Sequence, residues 1–500
     1  MDLEINELLY FILAVPIVFS LLALIKPLPN TAIHWLNRLA AVLTAGAVLR
    51  LVLSFDAGTV YQGKYLNLDA LSLWMLVILA LLYLGFAFTS KAYLDRDTNI
   101  RYGYLRRFSH LEGRFYALSH MFVWTMLLVV LVNNLGLMWV TIEATTLVSA
   151  LLVAFKFTRT SLEAAWKYVM VCTVGICLAL LGTVILYYAQ LQTLGNLHAL
   201  DWSYLALHGG ELNPHFTKLA FCFLFVGYGT KIGLAPMHAW LPDAHSEAPA
   251  LTSGLLSGAL CICAMYVLLR NMVIIIPSAG LDFVSGLCLF FGLLTIALAV
   301  PFVIVQRDVK RMLAYSSMEN FGLMMAGFGL FLPLAVEASL LHMMNHALVK
   351  YVLFYTAGTI METYATKNMM RIHGMLVQVP WTAFFWLIGI ISILGMPPVG
   401  IFFSKFFILE SFFASGNYLL GILALVLLAG ILIGILYHAM RMLGGEPVRK
   451  AAGELMGRLD IAALFAMLIV SGAVSIGFED MPYLGNILVH AAKLLTGGAF

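Results

Sequence analysis

Apolar stretches of about 20 residues recur along most of the chain and are separated by short polar segments. A stretch of this length, wound as a helix, crosses the hydrocarbon core of a bilayer. The pattern therefore predicts about fourteen membrane-spanning helices. The predicted spans are 6–26, 31–54, 69–90, 116–133, 135–156, 163–190, 216–241, 249–270, 283–305, 312–331, 333–360, 379–410, 417–442 and 459–476.

The composition agrees with this pattern and sets the fold class. Hydrophobic residues make up 62% of the chain and charged residues 11%, against roughly 25% charged in soluble proteins. We expect an all-α polytopic membrane protein. The net charge of +3 is spread over short loops, which argues against a nucleic-acid surface. The six cysteines show neither a repeated pairing nor a metal-ligand spacing, so they are interpreted as packing residues.

The distribution of basic residues predicts the orientation in the membrane. An even number of spans places both termini on one side. With the N-terminus outside, the inner loops hold 19 of the 28 basic residues, the outer loops five, and the membrane four. Because inner loops are enriched in Lys and Arg, this bias predicts a multi-pass protein of the cell (inner) membrane with both termini outside.

Two pairs of segments indicate an internal repeat. WKYVMVCTVG (166–175) resembles VKYVLFYTAG (349–358), and GLAPMHAWLPDA (233–244) resembles GMPPVGIFFSKF (395–406). The related spans are five apart, so the two units cross the membrane in opposite directions, as in the inverted five-helix repeats of transporters. The predicted division is an N-terminal three-helix segment with a basic cytoplasmic loop (1–115), a first repeat (116–270), a second inverted repeat (271–442) and a C-terminal helix and tail (443–500).

Spans seven and twelve are each predicted to be broken near the middle. Proline removes a backbone donor and obstructs the preceding turn, and unpaired backbone at membrane depth persists only beside protein or water. The alternative is that the prolines only kink packed helices. The residues predicted to form the breaks are Gly233 and Pro236 in span seven, and Gly395, Pro397 and Pro398 in span twelve.

Four lysines lie within stretches that are otherwise apolar: Lys167, Lys231, Lys350 and Lys405. A charge at the bilayer centre costs at least about 2.5 kcal/mol, so it is tolerated mainly where it faces a helix bundle or water. These lysines are candidates for carrying ions, and two of them flank the predicted helix breaks. No metal ligand set accompanies them.

Three further polar residues complete the candidate site. Glu143 is a mid-span acid, and a neighbouring lysine would favour its ionised form. The alternative is a static ion pair that fixes helix packing. His342 and His346 lie four residues apart on one helical face, with Lys350 a further turn along. A metal site at this histidine pair lacks a third ligand, so a proton relay is favoured.

Four motifs carry a family resemblance: GTKIGLAPMHAWLPDAHSEAP (229–249), QRDVKRMLAYSSMENFG (306–322), LLHMMNHALVK (340–350) and GMPPVGIFFSKF (395–406). They closely resemble motifs of the antiporter-like proton-translocating subunits of respiratory complex I, Mrp-type cation antiporters and membrane-bound hydrogenases. By that resemblance Glu143 is the acid of the fifth span, Lys231 the broken-helix lysine and Lys405 the terminal group of the twelfth span. Within the family, IEATTLVSALLV and SLEAAWKYVMVCTVG are most similar to hydrogenase-4 component F.

Two departures from the family pattern stand out. Family members often carry a Lys or His in the eighth span, whereas GLLSGALCICAMYVLL (254–269) has none. His342, His346 and water are then expected to bridge the centre. The hydrogenase-4 type tends to have an acid where this chain has Lys405.

The function expected from these features is that of a proton-translocating subunit of a larger membrane complex, similar to those of membrane-bound hydrogenase or NADH dehydrogenase. It would have no redox cofactor and no catalytic centre of its own, since no Rossmann or iron–sulfur motif is present. The expected partners are other subunits of the complex, the lipid bilayer and protons, with Na⁺ as the alternative ion. The alternatives are a Na⁺/H⁺ antiporter module, the membrane subunit of an inorganic-carbon uptake complex with a zinc partner protein, and a passive scaffold.

Overall fold

The computed structural model describes residues 2–25, 29–63, 65–100, 111–446, 452–477 and 481–497, and these are almost wholly helical. The α-helices are α1 (Asp2–Ala23), α2 (Asn30–Ser54), α3 (Ala70–Ile100), α4 (Leu111–Leu131), α5 (Leu135–Val153), α6 (Arg159–Thr193), α7 (Trp202–His208), α8 (Pro214–Ile232), α9 (Leu241–Glu247), α10 (Ala250–Leu255), α11 (Cys261–Ala279), α12 (Leu281–Val305), α13 (Val309–Leu330), α14 (Pro333–Tyr364), α15 (Met375–Gln378), α16 (Pro380–Leu394), α17 (Gly400–Ala414), α18 (Tyr418–Leu443), α19 (Arg458–Ile476) and α20 (Leu484–Thr496). A π-helical segment, Leu256–Leu260, joins α10 to α11, and 3₁₀ turns lie at Ala154–Lys156, Gly209–Glu211 and Met369–Arg371. Two short strands, β1 (Tyr61–Gln62) and β2 (Asn67–Leu68), form an antiparallel pair.

Long apolar helices dominate the architecture, and the predicted fold class is confirmed. Within the described residues, ten helical segments are long and apolar enough to cross a membrane by length and composition. Four other predicted spans correspond to α8 with α9, to α13, to α14, and to α16 with α17. The first and last of these are divided at their breaks, while α13 and α14 carry many buried polar residues. The count of fourteen spans and the inverted repeat therefore stay predictions.

The N-terminal basic loop is shorter than the sequence predicted. Helix α3 continues to Ile100 and α4 begins at Leu111, so much of the predicted loop at 91–115 is helical. Residues 101–110, with three of its arginines, lie outside the described part of the chain.

Helix α14 forms the centre of the bundle. Almost all of its side chains from Ala335 to Tyr364 are buried, and it packs against α3, α13, α16, α17, α19 and α20. The span formed by α10, the π segment and α11 is buried to a similar degree. Because lipid does not reach these helices, their polar side chains face other helices, where hydrogen-bond partners can be provided.

The connecting loops meet at two ends of the bundle. At one end, isolated backbone bridges pair Leu66 with Val132 and Asn134 with Asp201. At the other end, Asp308 pairs with Asn368, and Lys367 forms a 2.8 Å ion pair with Glu247. Each contact joins loops that the predicted topology places on the same side of the membrane.

Arg270 ends the predicted eighth span, yet it lies in the middle of a helix. Helix α11 continues past it to Ala279, and the Arg270 side chain is 1% exposed. Its guanidinium donates to both carboxylate oxygens of Asp69, at 2.5 and 2.7 Å, and lies over the ring of Trp202. This bidentate pair joins α11 to the start of α3, because a buried arginine requires a carboxylate to compensate its charge.

Candidate functional site

Lys231 lies in the last turn of α8 and is fully buried. Its Nζ donates to Thr146 Oγ1 of α5 and to Tyr168 OH of α6, each at 2.7 Å. Thr146 Oγ1 in turn donates to Glu143 Oε2 at 3.3 Å, and Thr173 Oγ1 donates to Glu143 Oε1 at 3.0 Å. Glu143 and Lys231 are therefore linked through one threonine hydroxyl, where the sequence suggested a direct neighbour pair. We call Glu143, Thr146, Tyr168 and Lys231 the first lysine group.

The break after Lys231 has a defined local cause. Gly233 ends α8 in the left-handed region, at φ 92°, which a residue with a Cβ rarely adopts. Pro236 follows, and the chain resumes helical structure at Leu241. The indole nitrogen of Trp240 donates to the Thr230 carbonyl at 2.8 Å, so a side chain satisfies part of the helix end. The predicted break of span seven is confirmed.

Two more of the predicted lysines, Lys350 and Lys405, are buried and contact α13. Lys350 of α14 is fully buried, and its Nζ donates to the Leu313 carbonyl at 2.7 Å and to Ser316 Oγ. Lys405 of α17 is 7% exposed, and its Nζ lies 2.9 Å from Glu319 Oε1. The side chain of Glu319 is 1% exposed, so this is a buried ion pair.

The break of span twelve supplies a further partner for Lys405. An unbroken helix would have bonded the Ile393 carbonyl to the N–H of residue 397, but Pro397 has no N–H. Lys405 Nζ donates to that carbonyl at 3.0 Å. Gly395 ends α16 at φ 75°, and a Cβ placed there would lie 2.9 Å from Lys405 Cδ. The predicted break is confirmed, and the glycine is needed for both its backbone conformation and this close approach. Pro398 lies within the same break.

Both predicted histidines lie in the bundle core, and His342 is connected to the ion pair of Lys405 and Glu319. His342 Nε2 lies 2.9 Å from Asn320 Oδ1, and its Nδ1 lies 2.8 Å from Ser404 Oγ. Asn320 Nδ2 donates to Glu319 Oε2 at 2.6 Å. A continuous set of hydrogen bonds therefore runs from His342 through Asn320 and Glu319 to Lys405. We call Lys350, Ser316, Glu319, Asn320, His342 and Lys405 the second lysine group.

His346 lies beside the π-helical segment of the eighth span. Its Nε2 is 3.5 Å from Ser257 Oγ, which lies 2.7 Å from Ser317 Oγ of α13. Ser257 is within the π segment, a local geometry that frequently marks functional sites in helices. A serine hydroxyl therefore occupies the span in which the family often has a Lys or His. In the described part of the chain, no hydrogen bond joins the first lysine group to the second.

Lys167 does not lie with the other three lysines, and its part in a proton pathway stays a prediction. Its side chain is 45% exposed and contacts Glu163 at 2.6 Å and Asp243 at 3.5 Å, and Asp243 also pairs with Arg311. Helix α6 begins at Arg159, so Lys167 is only about two turns from the helix end. It lies at the boundary of the bundle, where the carboxylates of Glu163 and Asp243 balance its charge.

Glu319 and His245 are among the buried titratable residues that sequence reasoning missed. Glu319 is in the middle of the predicted tenth span and could have been found by the criterion that identified Glu143. His245 of α9 is fully buried, it stacks on Phe354, and neither ring nitrogen has a hydrogen-bond partner among the described residues. No periodic signal marks His245, because α9 is a short helix after the break.

The comparisons with known proteins agree with this geometry. Residues 132–432 match the family model described as NADH:quinone oxidoreductase/Mrp antiporter, TM. The chain belongs to this family. The matched region contains both lysine groups and both helix breaks. This family of membrane proteins is the one that the sequence motifs resembled.

Two relatives also support the narrower resemblance to hydrogenase-4 components. The hydrogenase-4 component F homolog of Methylacidiphilum infernorum is 35% identical, over 83% of this chain and 85% of that protein. Hydrogenase-4 component B of Escherichia coli is 27% identical, over 90% of this chain and 67% of that protein. The chain is thus an antiporter-like membrane subunit related to hydrogenase-4 components.

Solved structures share the fold across almost the whole chain. A chain of the Mrp complex from Dietzia superposes with a TM-score of 0.85 at 19% identity, covering 99% of this chain and 98% of that one. A chain of respiratory complex I from Thermus thermophilus gives 0.75 at 22% identity, covering 93% and 97%. Both neighbours come from membrane complexes.

Proposed function

We propose that this subunit moves protons across the membrane within a multi-subunit complex, along the buried polar residues of its two lysine groups. The observation that carries the proposal is the burial of three lysines, Lys231, Lys350 and Lys405, each held by hydroxyls, carbonyls or an acid inside the bundle. Buried lysines are costly at membrane depth and mark ion pathways in membrane proteins.

The first lysine group supplies the entry point for protons, and Glu143 controls it. Thr146 accepts a hydrogen bond from Lys231 and donates one to Glu143. The strength of both hydrogen bonds therefore depends on the protonation of these two neighbours. Neutralising Glu143 weakens the hydrogen bond that Thr146 donates and alters the field at Lys231. Glu143 would in this way govern the release of a proton by Lys231.

The second lysine group supplies the route to release. His342, Asn320, Glu319 and Lys405 form one hydrogen-bonded series, and Lys350 reaches the same helix, α13, through Ser316. His346 and Ser257 lie toward the eighth span and would connect the two groups. Lys405 is the proposed release group, with its charge held by Glu319. Lys167, at the boundary of the bundle, has no place in this proposed route.

We further propose that the subunit lies in the cell (inner) membrane with both termini outside, divided as 1–115, 116–270, 271–442 and 443–500. The distribution of basic residues supports this orientation. Single cysteines introduced at Asp201 and at Lys367, with water-soluble labels applied from each side, would test it. Labelling of both positions from the same side would refute the orientation and the span count.

The test of function uses the intact complex. A tagged copy of this chain would be purified with its neighbouring subunits, which also identifies the driving reaction. Proton uptake would then be followed with a pH-sensitive dye in reconstituted vesicles. We expect Glu143→Gln and Lys231→Ala each to lower uptake at least about tenfold while the complex still assembles. Near-normal uptake in both variants would refute the proposal, and uptake that requires Na⁺ would identify an antiporter module instead.

A further inference from the structure

A second cluster of titratable residues lies apart from both lysine groups. His34 is near the start of α2, Asp95 near the end of α3 and Glu112 near the start of α4. One ligand atom from each of the three lies within 4.8 Å of the others. We propose that this cluster binds a divalent transition-metal ion, with Zn²⁺ as the representative species.

Hydrogen-bond directions assign the tautomer of His34. Asn37 Nδ2 donates to Ser90 Oγ at 3.0 Å, and Ser90 Oγ donates to the Ala87 carbonyl at 3.2 Å. Tyr116 OH donates its proton to Ser90 Oγ at 3.1 Å. The contact of 2.8 Å between His34 Nδ1 and Tyr116 OH is then donated by the imidazole. In the neutral ring, Nε2 is left as a lone-pair acceptor.

That lone pair faces a carboxylate. His34 Nε2 lies 3.3 Å from Glu112 Oε2, and this oxygen has no hydrogen-bond partner among the described residues. Glu112 is 9% exposed and His34 is 4% exposed. Two buried acceptors that face each other require a cation between them, either a proton or a metal ion.

The distance between His34 Nε2 and Glu112 Oε2 favours a metal ion over a proton. A charge-assisted N–H···O hydrogen bond spans about 2.7–2.9 Å. Two ligand atoms of a tetrahedral zinc site, each about 2.1 Å from the ion, lie about 3.4 Å apart. The 3.3 Å between His34 Nε2 and Glu112 Oε2 is closer to the second value.

The surroundings complete a plausible coordination sphere. Asp95 is exposed, so its carboxylate can provide a third ligand at the open side of the site. Three protein ligands of nitrogen and oxygen type leave one position for water, as zinc accepts. Tyr116 OH orients the imidazole through its other nitrogen, a usual arrangement around metal-binding histidines. The ion would tie the N-terminal helices α2 and α3 to α4.

The experiment measures zinc in the intact complex, purified with a tag that contains no histidine. After chelation and removal of the chelator, the complex is reloaded with Zn²⁺ alone, and the zinc content per complex is determined by mass spectrometry. We expect the wild-type complex to contain one more zinc ion than the His34→Ala and Glu112→Gln complexes. Because Asp95 is exposed, Asp95→Asn should fold normally and weaken zinc binding by about tenfold or more.

The matched control is His120→Gln. His120 is also buried and hydrogen-bonded to a tyrosine, Tyr83, but it is not part of the carboxylate cluster. The zinc content of the His120→Gln complex should equal that of the wild-type complex. Equal zinc content in the wild-type and Asp95→Asn complexes, with unchanged affinity, would overturn the proposal. A wild-type complex that holds no more zinc than the His34→Ala complex would also overturn the proposal. His34 and Glu112 would then form an imidazolium–carboxylate pair.

Discussion

The two lysine groups differ in how a buried lysine reaches an acid. Lys231 meets Glu143 only through the hydroxyl of Thr146, whereas Lys405 contacts Glu319 directly at 2.9 Å. The first arrangement separates two charges by a neutral group that both accepts and donates. The second holds opposite charges in contact, and removing either partner leaves the other unpaired in the bundle. The first group is therefore suited to switching and the second to holding a charge.

The two helix breaks also differ in which side chain donates to the freed backbone carbonyl. Lys231 precedes its break, and the freed Thr230 carbonyl is taken by Trp240. Lys405 follows its break, and it takes the freed Ile393 carbonyl itself. Lys405 thus has a carbonyl and a carboxylate as acceptors, while Lys231 has two hydroxyls. Lys405 therefore has a charged acceptor beside it, whereas the acceptors of Lys231 are neutral.

The largest effect is expected for Lys405→Ala. Removing one partner of a buried ion pair costs about 3–5 kcal/mol, because Glu319 is left uncompensated. Proton uptake by reconstituted vesicles should fall by about a hundredfold, with reduced assembly of the complex. Lys405→Arg is the matched variant and should keep much of the activity, because arginine remains a cation beside Glu319. If Ala were tolerated while Arg was inactive, packing would determine this position and release would have to occur elsewhere.

Lys231→Ala should reduce proton uptake nearly as strongly but leave assembly intact. The change removes the titrating group and its charge-assisted hydrogen bonds to Thr146 and Tyr168. The loss of one such bond, worth about 1.5–3 kcal/mol, is enough to lower uptake at least about tenfold. The amount of complex recovered by size-exclusion chromatography is the companion measurement. A Lys231→Ala complex that fails to assemble, beside an intact Lys405→Ala complex, would reverse the comparison between the two groups.

Thr146→Val tests the hydroxyl that separates Glu143 from Lys231. Valine preserves the shape but removes the hydroxyl and its hydrogen bonds to Lys231 and Glu143. The loss of one such bond is worth about 1 kcal/mol or more, so uptake should fall at least about fivefold. Thr44→Val is the control, because the Thr44 hydroxyl is also buried but donates only to a carbonyl of its own helix. Equal effects of the two substitutions would show that Thr146 has no coupling role.

The smallest effect is expected for Lys167→Ala. Lys167 is partly exposed and its ion pairs lie at the boundary, where such pairs are worth about 0–1 kcal/mol. Uptake should remain within about threefold of the wild type in the same vesicle assay. A loss as large as that of Lys231→Ala would place Lys167 on the proton route and contradict its separation from the other lysines.

The sequence alone determined the class of the protein, its helix breaks and three of its buried lysines. Apolar stretches of membrane length, glycine and proline within two of them, and isolated lysines are local features, so they can be read from the chain. Glu319 was equally readable but was missed. The motifs also identified the family, which the matched residues 132–432 confirm.

Only the tertiary structure decided which of these residues meet. Lys167 and Lys231 look alike in the sequence, yet one lies at the boundary beside Asp243 and the other inside the bundle beside Thr146. Their depth depends on where each helix begins and on which neighbours surround it. Similarly, His34, Asp95 and Glu112 come together only because three helix ends meet. Charge in a low-dielectric bundle is compensated through contacts across helices, and those contacts are set by packing rather than by spacing along the chain.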